Sequence, residues 1–222
     1  MVQDNPVGVL VVSSSRRVHG WLAAVLVLFL VLHFATHLAG LAGIEAYNAA
    51  QAAMRRIYRA PLVEPLLVAA ILAQMAIGAR LLWALWRRGP RGGWQWAQLL
   101  SGAGILFFLA QHLPSFAVAR FAFARDTTFY WPASVMQDVP LLLYFTPYYL
   151  IGVLALFVHL GCAVRLRLLK HGARLPAQVA GWGFGIAGAG IGIVIVLMLL
   201  GAFYAIDLPA EWAFAGPVPA EG

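Results

Sequence analysis

Residues 18–42 read VHGWLAAVLVLFLVLHFATHLAGLA, twenty-five positions with no Asp, Glu, Lys or Arg among them. A helix needs about 20 largely apolar residues to cross the hydrocarbon core of a bilayer, so this stretch reads as a membrane span. Two histidines, His33 and His37, stand one helical turn apart inside it. An ionisable, ligand-capable side chain at bilayer depth is costly and marks a candidate functional position.

Working outward, four more segments reach the same length. Segment I covers Val18–Ala42, II Leu62–Leu85, III Ala97–Val118, IV Leu141–Leu166 and V Val179–Ile206. The expected fold is an all-α integral membrane protein, a five-transmembrane-helix bundle forming one domain over residues 1–222. Composition agrees: 63% of residues are hydrophobic and 10% charged, too little polar surface for a soluble domain of this size. Residues 1–15 are mixed and do not read as a cleaved signal peptide.

The net charge of +7 does not point to nucleic acid, because the basic residues lie in short loops between apolar segments, where positive charge sets orientation. Arg16, Arg17, Arg87, Arg88, Arg91, Arg165, Arg167, Lys170 and Arg174 fall on one side, and Arg55, Arg56, Arg59, Arg120 and Arg125 on the other. This bias of nine to five predicts a cytoplasmic N-terminus. The two longer loops, I–II and III–IV, then face outward. The aromatic residues at 130–131, 148–149 and 204 read as an interfacial belt. The six glycines from Gly181 to Gly192 suit close helix packing or a bulky cofactor. No strand precedes them, so they are not a nucleotide fingerprint.

Segments I and III both run outward. His33 and His112 therefore lie at one level, each roughly 20–25 Å from the inner end of its helix at about 1.5 Å per residue. Imidazole is a usual axial ligand of haem iron, and two helices presenting imidazoles at one depth suit bis-histidine ligation. His37 is the alternative to His33 as ligand, or a propionate partner. His159, in segment IV, lies deeper toward the cytoplasmic half. Cys162 is the sole cysteine, so a covalently attached haem with a CxxCH motif is excluded. His19 and His171 fall near the inner interface beside basic residues and read as interfacial side chains, with His19 also placed to line a quinone pocket. Arg80 reads as a snorkelling side chain or a propionate or quinone contact.

Several stretches resemble the cytochrome b membrane subunit of the succinate dehydrogenase/fumarate reductase family, in its single-chain, five-helix form. Ser13-x-x-x-Arg17-Val-His-Gly20 is similar to that family's lead into its first helix. Glu45-Ala-Tyr-Asn48 resembles a motif twelve residues beyond its first haem histidine, which returns to His33. Ser101-Gly102 ahead of His112, and Tyr148-x-x-x-Gly152 ahead of His159, match the third- and fourth-helix histidine contexts. The likeness runs from about Ser13 to Phe203.

It departs in segment II, where the family's His-x-x-x-Gly-x-Arg is here Gln74-x-x-x-Gly78-Ala-Arg80. The resemblance implies an outer haem b held by His33 and His112. It leaves a second, inner haem with His159 but without the ligand that Gln74 replaces. Met75 could complete a His/Met pair, or His159 could hold a five-coordinate haem. One haem b is expected and a second stays open.

The implied function is the membrane anchor and quinone-reactive subunit of a succinate:quinone oxidoreductase, a multi-pass protein of the bacterial inner membrane. An iron–sulfur subunit and a flavoprotein subunit would be its partners, and this chain would pass electrons to quinone. It would have no dicarboxylate site of its own. Ser13, Arg17 and His19 would border the quinone. The rival readings are a cytochrome b anchor serving a different oxidoreductase, and a haem-free scaffold whose histidines line a proton path.

Overall fold

A computed structural model describes residues 6–212, with side chains from Ser14 onward. Among the described residues every regular element is helical: α1 (Pro6–Ala39), α2 (Ile44–Tyr58), α3 (Val63–Arg88), α4 (Gly93–Ala117), α5 (Tyr130–Gln137), α6 (Val139–Lys170) and α7 (Arg174–Leu199). Five helical stretches are long and apolar enough to cross a membrane: Ser14–Ala42, Val63–Arg88, Gly93–Ala122, Val139–Lys170 and Arg174–Leu199. They correspond one to one with the five predicted segments.

Three differences have local causes. Segment V stops at Leu199 rather than Ile206 because a glycine C-cap ends it. Gly201 takes φ +82°, its N–H bonds to Met198 O, and the Ala202 N–H reaches back to Leu197 O. These are the paired bonds of a left-handed C-cap. The I–II and III–IV connections, expected as loops, contain α2 and α5. The first span begins at Ser14, four residues ahead of the expected Val18.

α1, α3, α4 and α6 form a four-helix bundle, and α7 packs against the outside of α6. Large apolar side chains such as Trp21, Leu28, Leu66 and Ile186 point outward, as expected of helices whose solvent is lipid. The glycine stripe of α7 resolves into a packing face. A Cβ on Gly181 would strike Trp94, one on Gly188 would strike Phe157, and one on Gly192 would sit on Val153. Gly183 and Gly190 face open space. Small residues at that spacing let α6 approach closely.

We call the end holding Arg17, Arg88 and Lys170 the N-side, and the opposite end the far side. The best-buried core caps the far side, where Tyr47 of α2, Phe129, Ala133 and Met136 at α5, and Ile195, Val196, Met198 and Leu199 of α7 meet. Asn48 Oδ1 accepts from Phe129 N at 3.0 Å, and Gln51 Nε2 donates to Thr127 O at 2.6 Å. Arg59 and Arg55 pair with Asp126 at 2.8 and 3.3 Å, and Arg120 pairs with Glu64. The α2 cap is thus tied to the loop that leads into α5. Tyr204 O–H donates to Gly40 O at 2.6 Å and closes the chain's C-terminal reach over α1.

Candidate functional site

Two histidine centres lie inside the four-helix bundle, one toward each end. Close backbone approach links α1 to α3, whereas α1 meets α4 and α6 through rings. The interior between those helices is therefore spanned by side chains, and its histidines are only half-buried.

The far-side centre joins His33 and His37 of α1 to His112 of α4. The His33 and His112 ring centroids are 6.1 Å apart. His33 and His37 approach Nε2 to Nε2 at 3.3 Å, so one of the two nitrogens carries the shared proton. Each member of the pair has a stacked aromatic neighbour: Phe29 on His33 at 5.5 Å and 22°, and Phe108 on His112 at 4.9 Å and 21°. Phe108 is backed in turn by Tyr148 at 4.7 Å, and the Tyr148 hydroxyl donates to Phe108 O at 3.1 Å. Tyr148 is therefore 5% exposed inside the bundle and is not part of an interfacial belt, contrary to the sequence reading. Gly152 makes this stack possible, because a Cβ there would occupy the Phe108 ring.

Tyr47 closes the centre from α2, its hydroxyl 3.4 Å from His37 Nδ1. Burial raises the phenol's pKa above its ordinary value, so Tyr47 stays protonated and able to donate. The Glu45-Ala-Tyr-Asn48 stretch acquires two physical jobs: Tyr47 contacts the histidine centre, and Asn48 fixes the cap. Glu45 is exposed.

The N-side centre joins His19 of α1 and His159 of α6, with ring centroids 6.4 Å apart and planes at 84°. Gln74 Nε2 of α3 lies 3.4 Å from His19 Nε2, and Ser101 Oγ of α4 lies 3.2 Å from His159 Nδ1. His19 Nδ1 and Gln74 Oε1 are buried without a hydrogen-bond partner. Sequence reasoning put His19 at the interface, because hydropathy at a span's end does not report which way a ring turns. Met75 is half-buried, and Arg80 and Arg17 are exposed at the N-side. The Ser13 side chain lies outside the described residues.

A cleft of about 240 Å³ opens at the N-side between α4 and α6, lined by residues including Trp94, Gln98, Cys162 and Arg165. Arg165 covers the Trp94 ring at 4.5 Å. Comparison with known proteins returned no match among family models, curated proteins or solved structures. The functional reading therefore rests on the residues themselves.

Proposed function

We propose that this chain is the membrane anchor and quinone-reactive cytochrome b subunit of a succinate:quinone oxidoreductase, with its N-side facing the cytoplasm of a bacterial cell. The observation that carries the reading is the 6.1 Å pairing of His33 and His112 from two helices. Two metal–imidazole bonds of about 2 Å, with the half-widths of two rings, span about 6 Å. The donor set also suits a porphyrin iron, which asks the protein for only one or two nitrogens. Among the described residues no three His, Cys, Asp or Glu side chains converge to hold a bare metal ion.

Haem b in this centre would supply a one-electron carrier within the bilayer. His33 and His112 would hold its iron, and Phe29 and Phe108, stacked on them, would hold the imidazole planes. His37 sits between His33 and the Tyr47 hydroxyl, an outer-shell link of the kind that orients a ligating histidine and tunes its basicity. The resemblance adds the rest. A flavoprotein subunit would oxidise succinate, an iron–sulfur subunit would relay the electrons, and this chain would deliver them to quinone near Ser13 and Arg17.

The test is purification of the chain with its native partners, followed by reduced-minus-oxidised spectroscopy. The reading expects a b-type haem that succinate reduces and that His112→Ala removes while the chain remains in the membrane. His33→Ala should act like His112→Ala, and His37→Ala should keep the haem with a shifted potential. Haem that succinate leaves oxidised would instead assign the anchor to a different oxidoreductase. A haem-free preparation would leave a scaffold.

A further inference from the structure

Gln74 stands where the resembling family has a histidine, which would leave His159 alone. The side chains at the N-side suggest a different ligand for that place. Resting on the cytochrome reading above, we propose that His19 of α1 takes over the ligand role vacated on α3, so that His19 and His159 form a second bis-histidine haem site with Gln74 as a positioning residue.

The geometry repeats that of the far-side pair. The ring centroids of His19 and His159 are 6.4 Å apart, against 6.1 Å for His33 and His112. Each ring lies over a glycine on a neighbouring helix. A Cβ on Gly78 of α3 would meet His19 Cε1 at 3.4 Å, and one on Gly102 of α4 would meet His159 Cε1 at 3.4 Å. That is the near edge of ordinary van der Waals contact, so the two glycines give the rings their room, and at Gly102 an added Cβ would first strike Leu82 Cδ1 at 2.9 Å.

Each histidine also has a polar neighbour that can set its orientation: Gln74 Nε2 near His19 Nε2, and Ser101 Oγ near His159 Nδ1. An imidazole that ligates through one nitrogen characteristically hydrogen-bonds through the other. For His159, that leaves Nε2 to ligate while Ser101 holds Nδ1. For His19, Nε2 stands beside the Gln74 amide, whose oxygen and not its nitrogen can accept from Nε2–H; with the amide turned so that Oε1 takes that hydrogen, Nδ1, which is buried with no hydrogen-bond partner, keeps its lone pair for iron. A buried polar atom without a partner is costly, and coordination of its lone pair to iron would satisfy it.

The amide oxygen, Gln74 Oε1, is likewise without a partner until that turn is made. The centre therefore holds unmet polar capacity that the protein itself does not satisfy. His19 and His33 are fourteen positions apart on α1, about 21 Å along its axis. One helix would thus contribute a histidine to each of the two centres.

The experiment measures haem per chain by pyridine haemochrome on the full chain purified with its partners, together with the low-spin ferric electron-paramagnetic signals. Two haems and two low-spin signals are expected. His19→Ala and His159→Ala should each lower the count to one and remove the same signal, leaving the signal that His112→Ala removes. His19→Ala combined with Gln74→His should return the second haem, since position 74 borders the same centre. Should His19→Ala fail to accumulate, His19→Met replaces it: His/Met ligation raises the potential of the affected haem, and an unchanged potential and spectrum overturn the proposal.

One haem per chain, insensitive to both His19 and His159, overturns this inference while leaving the far-side site intact. Two haems that survive His19→Ala also overturn it, because the ligand then lies elsewhere. No haem at all overturns the cytochrome reading itself.

Discussion

A Cβ at Gly152 would enter the ring of Phe108, the ring that stacks on His112. Gly152→Val should therefore displace Phe108, tilt the His112 imidazole and cost about 1–3 kcal/mol, as overpacking generally does. Thermal unfolding of the detergent-solubilised chain should show a lower midpoint, and under the proposed function the far-side haem should be lost. Gly190→Val, whose added Cβ meets nothing within 4 Å, should leave both unchanged. At this scale the sequence was legible wherever depth alone decides the outcome. His33 and His112 can be matched by counting residues along two helices that run the same way. His19 could not be matched in that fashion. Its pairing with His159 depends on the rotation of α1 about its own axis, and a nearly uniform apolar helix does not declare its rotation. The same blindness made Tyr148 look interfacial, although its ring is the backing of Phe108.

The α2 helix is short and lies outside the spans, so its place depends on polar ties as well as on Tyr47. Asp126 provides the main tie, pairing with Arg59 at 2.8 Å and Arg55 at 3.3 Å. Its carboxyl is held below the ordinary carboxylate range, chiefly by the hydrogen bond from Arg59, against the opposing effect of burial and with the Arg55, Arg59 and Arg120 charges adding to the lowering. A carboxylate whose folded pKa is depressed stabilises the fold above its unfolded pKa of about 3.9, and that contribution is lost as pH falls through the lower folded value. Hydrogen exchange in α2, corrected for intrinsic rates, should thus stay flat down to about pH 4 and rise below it. Asp126→Asn should raise it at neutral pH and abolish the step. Asp126 is 60% exposed, so solvent screens the tie, and its loss should loosen α2 without unfolding the bundle. Elements of this kind escape a hydropathy reading, because α2 and α5 have neither the length nor the apolar run that identified the five spans. Segment V ran too far for a related reason: residues 200–206 remain mostly apolar, and the stop comes from backbone geometry at Gly201.

Across the whole molecule the charge asymmetry is larger than residue counts imply. Of the five far-side arginines, Arg55 and Arg59 share Asp126 and Arg120 pairs with Glu64, so these two carboxylates offset two of the five charges. Among the described residues no N-side arginine or lysine is in an ion pair, so that face keeps its nine positive charges. Under the proposed function this face is where the iron–sulfur subunit docks, and a partner with an acidic surface would be steered to it. Arg87, Arg88 and Arg91 flank the short α3–α4 connection and are exposed, which makes them the test. Reversing all three to Glu leaves Arg16, Arg17, Arg165, Arg167, Lys170 and Arg174 to hold the orientation. The far-side histidine centre is untouched, so its haem should be retained. Co-purification of the iron–sulfur subunit should fall at least tenfold, a loss of about 1.4 kcal/mol or more in binding. The wild-type complex should weaken as salt is raised, and the variant's residual binding should be less salt-dependent, because exposed charges are screened beyond about 8–10 Å at physiological ionic strength. A triple reversal that still assembles with unchanged salt dependence would remove this face as the docking surface and assign its charge to orientation alone.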